Sequence, residues 1–182
     1  SMEPFLKGKK INLRRVHRAD AISIHKYAND PEVTRFLFTP YPYTLEHAYE
    51  FIKMSHNMHR KKSGFPFGIE HKDTREIIGL IGLYRADMTH KNAEVGFWLG
   101  RDFWGQGITK EAVRMILKYA FDEIGFERIF ARVMHPNKVS LHLLESLGFT
   151  REGTMRKAVF QDGRWLDFIW FAMLKEEFEQ YE

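Results

Sequence analysis

The chain has 182 residues, 44% of them hydrophobic and 29% charged, a length and composition that predict one folded domain spanning 1–182 and exclude a disordered or low-complexity chain. Lys and Arg outnumber Asp and Glu by 28 to 24, giving a formal charge of +4 that is spread along the sequence without the dense basic stripe of a nucleic-acid binder. The absence of cysteine removes a disulfide framework, a thiolate nucleophile and a cysteine-built zinc site, and fits a reducing, cytoplasmic setting.

Lys10 to Arg15 alternates as a short strand. Asp20 can cap a helix carrying Ile22, Ile24 and Tyr27, broken at Asn29-Asp30-Pro31. After the Pro40 and Pro42 turns, Thr44 can cap a second helix to about Lys61, with Ala48, Phe51, Ile52 and Met58 inward. Phe65 to Glu70 and Ile77 to Tyr84 then read as an antiparallel hairpin, and Ala93 to Leu99 as a third strand of that group.

Beyond it the rhythm changes. A turn at Gly105 to Gly107 leads into an amphipathic helix, Thr109 to Glu123, with Val113, Ile116, Leu117 and Ala120 on one face. Arg128 to Met134 is a strand, Lys138 to Leu147 a helix ended by Gly148, and Thr150 to Phe160 with Trp165 to Leu174 a hairpin turned at Asp162-Gly163. Strand, helix, strand, helix in the middle implies a parallel pair inside a mixed sheet, with helices packed on its faces: an α+β fold with α/β character.

The longest strictly apolar run, Phe168 to Leu174, is far short of the roughly 20 residues of a membrane-spanning helix, and no signal-peptide pattern opens the chain. Ser1 ahead of Met2 reads as the remnant of a cleaved expression tag. His56 and His59 form the one close helical histidine pair, without HExxH or a carboxylate set, so no metal is expected.

The stretch richest in chemistry is Ala93 to Ala112, AEVGFWLGRDFWGQGITKEA. Gly105 and Gly107 let backbone amides approach a ligand without a Cβ in the way, and the helix behind them offers unpaired N–H groups and a positive dipole end to phosphate. The spacing is neither a dinucleotide fingerprint, which needs a glycine where Lys110 stands, nor a Walker loop.

This turn occurs together with His135-Pro136-Asn137-Lys138-Val139-Ser140 and Leu143-Leu144-Glu145-Ser146-Leu147-Gly148-Phe149. The combination resembles the GNAT acyl-CoA N-acyltransferases, in particular the branch of ribosomal-protein N-terminal acetyltransferases of the RimJ/RimL type, and the resemblance covers nearly the whole chain. It implies a GNAT fold in which the strand ending at Leu99 splays from Arg128 to Met134 and the acetyl-CoA arm enters the gap. Gly105, Gln106, Gly107, Ile108, Thr109 and Lys110 would cradle the pyrophosphate, Phe97, Trp98 and Leu99 would line the arm, and Asn137 would contact it.

The resemblance also bears on catalysis. Glu94, on the strand flanking the thioester, is the candidate general base, directly or through water. Ser140 is the candidate to protonate the departing thiolate, because many relatives carry a Tyr acid where this chain has Leu144. Asp102 stands where the family has Gln or Arg, which leaves a side-chain contribution to phosphate binding to Arg101, Lys110 or another base. Transfer in a ternary complex, without a covalent intermediate, is the expected route.

The first two helices and the last hairpin would select the amine, with His25, Tyr27, Phe36, Tyr41, Tyr43 and Trp165 as candidate walls. A protein N-terminus comes first by resemblance; a polyamine, an aminoglycoside, a non-catalytic acetyl-CoA sensor and a homodimer remain open. The acidic cluster Glu176, Glu177 and Glu179 is expected to be a solvated tail.

Overall fold

The structure is a computed structural model that describes residues 3–181; Ser1 lies outside the described residues. Eight strands form one sheet in the order β1-β2-β3-β4-β5-β6-β8-β7. They are β1 (Phe5–Lys7), β2 (Ile11–Arg14), β3 (Phe65–His71), β4 (Ile77–Asp87), β5 (Asn92–Leu99), β6 (Arg128–Met134), β7 (Thr150–Gln161) and β8 (Arg164–Leu174). All neighbours are antiparallel except β5 and β6. The helices are α1 (Ala21–Ala28), α2 (Pro31–Thr34), α3 (Leu45–Lys61), α4 (Ile108–Lys118), α5 (Lys138–Ser146) and α6 (Lys175–Tyr181).

Two apolar layers hold the sheet. On one face Val113, Ile116, Leu117 and Phe121 pack with Ile81, Leu83, Val95, Ile129, Ala131 and Phe171, joined by Leu144 of α5 and Phe178 of α6. On the other face Ala21, Ile24 and Ala28 of α1 and Ala48 and Ile52 of α3 cover Val16, Ile77 and Leu80. Thr44 starts α3 as expected, its hydroxyl accepting from the His47 amide at 3.1 Å. A π-helical turn over Tyr119–Ile124 continues α4 until Gly125, in the left-handed region at φ 91°, ends it.

The expected elements are present, with corrections at their margins. Ile22 is 70% exposed, because the inward face of α1 is set by Ala21, Ile24 and Ala28 at spacings of three and four. Asp20 does not cap α1; its carboxylate binds Arg14 and the His17 amide. Tyr27 and Tyr43, expected to line a substrate wall, are core residues at 8% and 5% exposure. Glu176, Glu177 and Glu179 stand on the short helix α6, anchored by Phe178 at 3% exposure. No helix among the described residues is long and apolar enough to cross a membrane.

Candidate active site

The parallel pair creates the site. β5 and β6 pair only through Asn92↔Arg128, Ala93↔Ile129 and Glu94↔Phe130, after which β5 continues to Leu99 and β6 to Met134 without pairing each other. Val95 to Leu99 stays hydrogen-bonded to β4 on its other side, so its inner edge presents backbone N–H and C=O groups to the gap. Such an edge suits an amide-bearing ligand laid down as an added strand. Phe97 packs on the α4 face and Leu99 is 6% exposed in the core, whereas Trp98 touches the layer of α1 and α3.

β5 and β6 each run into a helix, so the N-termini of α4 and α5 stand at the same end of the gap, where ligands of open sheets containing parallel strands bind. The two N-termini differ. At α5 the Asn137 Oδ1 accepts from the Ser140 amide at 3.2 Å, a capping bond that leaves the Asn137 Nδ2 as a donor. At α4 the cap position is Gly107 and no side chain caps it.

Gly105 and Gly107 have φ of 75° and 76°, and a Cβ built on either would meet nothing within 4 Å. Glycine is therefore required by backbone conformation and by whatever fills the open space, not by crowding within the protein. Gly105, Gln106 and Gly107 are exposed, Ile108 is buried, and Thr109 and Lys110 are half-buried. These residues form an open cradle of amides at a helix dipole, which fits a pyrophosphate.

A contact that sequence reasoning missed braces this cradle. The Lys10 ammonium, from the turn between β1 and β2, donates to the Gln106 carbonyl at 2.5 Å. The amides of Lys9 and Lys10 donate to the Glu111 carboxylate, at 2.5 Å and at 3.2 and 3.3 Å. A Cβ at Gly8 would run into the Ile11 carbonyl oxygen, 2.5 Å away, as well as that carboxylate, so the turn closes against α4 only with glycine there. The KGKK run of residues 7–10 was the available signal. Arg101 cannot serve the cradle as freely, because its guanidinium makes a two-point contact with Asp30.

Across the gap on the α1 face lies the second missed residue, Arg132. Its Nε and Nη2 donate to the two oxygens of Glu94 at 2.5 and 3.0 Å, and both side chains are mostly buried. The Arg132 guanidinium also stacks near Phe168, 5.0 Å from the ring centre. Phe38 meets Phe168 edge to face, and Phe130 stacks on Trp170 at 5.2 Å. Beside them Tyr84, opposite Glu94 on β4, spreads its ring over Gly82 and Gly96; burial raises its phenol well above the ordinary range. Ser140 is half-buried at the mouth, and Leu144 is core at 1% exposure. Among the described residues no group of three or more His, Asp or Glu could hold a metal ion.

A mixed sheet with one splayed parallel pair, and an uncapped helix N-terminus behind a left-handed glycine turn at its mouth, defines an acyl-CoA-dependent transferase. Residues 10–150 match the acetyltransferase (GNAT) domain, and the chain belongs to that family: it is an N-acetyltransferase, moving an acetyl group from acetyl-CoA to an amine. It is 35% identical to the N-acetyltransferase p20 of Bacillus licheniformis over 170 residues, covering 93% of this chain and 95% of that one. It is 31% identical to the ribosomal protein uS5-alanine N-acetyltransferase of Escherichia coli over 121 residues, 66% and 62% of the two chains. The fold matches the spermidine N-acetyltransferase of Vibrio cholerae, solved with CoA and spermine, at a TM-score of 0.83 and 23% identity, covering 94% and 99%.

Proposed function

We propose that the chain, acting as one catalytic domain in the cytoplasm, acetylates the N-terminal amine of a peptide or protein, and that it does not serve polyamines. The observation that carries this reading is the charge balance of the strands that border the gap. β4 to β8 bear four carboxylates: Glu94 and Glu152 are paired with Arg132 and Arg128, while Asp87 and Asp167 are hydrogen-bonded to His90 and to the Lys157 amide. The same strands carry seven Lys and Arg residues. A polycation needs unspent negative charge along its length, whereas a peptide N-terminus brings one amine, and backbone amides that strand edges can pair.

The placements support the following roles. The amides of Gly105 to Lys110 hold the pyrophosphate of acetyl-CoA, the inner edge of Phe97, Trp98 and Leu99 pairs the pantetheine arm, and the Asn137 Nδ2 donates to it. Glu94 takes the proton the amine must lose, directly or through a water, while Arg132 fixes the carboxylate. The amine nitrogen bonds to the thioester carbonyl carbon, the C–S bond breaks, and Ser140 relays a proton to the departing thiolate, its hydroxyl regaining one from solvent while Glu94 releases the amine's proton to solvent. The products are the amide and free CoA.

The long, exposed outer strand β7 offers its free edge to a second copy in a homodimer. Thiol release with acetyl-CoA tests the acceptor assignment: an alanyl peptide should be turned over and spermidine should not. Turnover of spermidine with the peptide inert would overturn it, and binding of acetyl-CoA without release to any amine would favour the sensor.

A further inference from the structure

At the end of α4 remote from the glycine turn, where α3 runs down to the start of β3, a cavity of about 350 Å³ opens beside Tyr119. Its lining is cationic: Arg15, Arg60 and Lys62, with the imidazoles of His56 and His59, face one carboxylate, Glu3. None of these residues belongs to the acetyl-transfer site.

The hydrogen bonds fix the state of each group. His56 Nε2 lies 2.8 Å from the Val16 carbonyl, which can only accept, so the proton is on Nε2 and Nδ1 accepts from Arg15 Nη2 at 3.3 Å. His59 Nε2 donates to the Pro66 carbonyl at 2.7 Å. Burial lowers the His59 pKa against the Pro66 bond, which raises it, with Arg15 and His56 adding their repulsion; Arg15, Arg60 and Lys62 carry the permanent charge of the lining. The Arg15 side chain is only 18% exposed, and its buried Nε has no hydrogen-bond partner.

The counter-ion of Arg15 is poor. Glu3 stands 3.9 Å away and is 43% exposed, with its closer contact, 3.0 Å, to His17. A largely buried guanidinium with a distant carboxylate is an arrangement that a better-placed oxyanion improves. The volume exceeds what an inorganic ion fills, and the rings of Phe65 and Tyr119 line it.

We propose that this cavity is a binding site for a small phosphomonoester. Arg15 anchors the phosphate, Arg60 and Lys62 supply further charge, Phe65 and Tyr119 receive the organic part, and Glu3 is an internal competitor that the ligand displaces. The site is separate from the acceptor cleft, and its occupancy does not depend on which amine is acetylated.

The test is titration of the full chain with inorganic phosphate, phenyl phosphate and chloride at constant ionic strength, following heat and the imidazole resonances of His56 and His59. The expected result is saturable binding with both imidazoles shifted, phenyl phosphate tighter than inorganic phosphate, and chloride inert. Glu3→Gln should tighten binding by about threefold, the removal of a competing charge near a cation. Arg15→Met should weaken binding at least about tenfold by removing a charge-assisted anchor. Should that variant fail to fold, the paired exposed substitutions Arg60→Ala and Lys62→Ala carry the same expectation. Heat without movement of either imidazole, or an affinity unchanged in both Glu3→Gln and the paired variant, would overturn the proposal.

Discussion

Glu94 and Arg132 face each other across the splay of the sheet, joined by two hydrogen bonds of 2.5 and 3.0 Å. Glu94 itself makes the last backbone pairing of β5 with β6, opposite Phe130, and Arg132 lies two residues further along β6. The pair ties the diverging strands together by side chains where the ladder has ended. Arg fits this task because its planar fork matches both oxygens of a carboxylate.

Three substitutions separate chemistry from support. Glu94→Gln keeps the shape but loses the proton acceptor, so kcat at neutral pH should fall about 100-fold, the low end for a lost general base. The KM for acetyl-CoA should stay within a factor of two, and steady-state kinetics read both. Arg132→Met leaves a mostly buried carboxylate with only the exposed Arg85 guanidinium, 4.0 Å away, so it should cost about 2 kcal/mol in denaturant unfolding. It should lower kcat less than Glu94→Gln does, and Arg132→Lys should restore only part, since an ammonium cannot make the two-point contact. An unaltered kcat in Glu94→Gln would return that residue to a purely structural role.

Gly107→Glu tests the cradle. The left-handed backbone there, φ 76°, costs a non-glycine residue about 1 to 2 kcal/mol, and the new side chain enters open space in the folded protein. The variant should fold, with a modest loss in Tm, and should weaken acetyl-CoA at least about 100-fold, because a carboxylate then occupies the place of a phosphate. Gly107→Ala should share the stability loss with a smaller loss of affinity. Calorimetric titration beside a thermal melt distinguishes binding from folding, and a folded Gly107→Glu chain with full affinity would move the phosphate site elsewhere.

Local pattern made much of this legible. Alternation located β2, apolar runs bounded by turn signals located β3 to β8, the 3.6-residue repeat located α3 and α4, and the glycine turn ahead of α4 pointed to the anion cradle proposed there. The pieces that escaped are those that local pattern does not encode. β1, α2 and α6 are three, four and seven residues long, too short to carry a period, and depend on what they pack against. The insertion of β8 between β6 and β7 is a matter of long-range pairing. Arg132 and Lys10 are 38 and 96 residues from Glu94 and Gln106, so only the folded sheet brings them to the site.

Arg14 predicts an acid transition. Its guanidinium joins Glu70 of β3 at 2.5 Å and both oxygens of Asp20 at 2.9 and 3.0 Å. Burial by itself raises both carboxylates, but the bonds from Arg14, helped by the His17 amide at Asp20 and by Asn12 and Arg75 at Glu70, outweigh it and leave both below their ordinary values. Folded pKa values below the unfolded ones give stability that is present above about pH 4 to 5 and lost as pH falls through the depressed range. The denaturation midpoint should therefore drop steeply below about pH 4. Asp20→Asn should be less stable at pH 7 and flatter against pH, as urea titrations from pH 7 to pH 3 would read; an unchanged slope would remove Asp20 from the acid response.

Lys10 tests whether the turn between β1 and β2 belongs to the cofactor site. Its ammonium holds the carbonyl of Gln106, so in the proposed cradle it fixes that peptide's orientation and adds a positive charge beside the phosphate. Lys10→Met keeps the stem and removes both effects. Acetyl-CoA affinity should fall about fivefold to tenfold, the worth of one charge-assisted hydrogen bond near the surface, with kcat at saturation nearly unchanged because no reacting atom is touched. The loss should shrink as salt rises, since a charge near solvent is screened over roughly 10 Å at 0.1 M. Glu111→Gln should weaken acetyl-CoA in the same sense with less dependence on salt, because it loosens the turn without removing the cation. If Lys10→Met lowers kcat while leaving KM intact, the turn acts on the chemistry and not on the cradle.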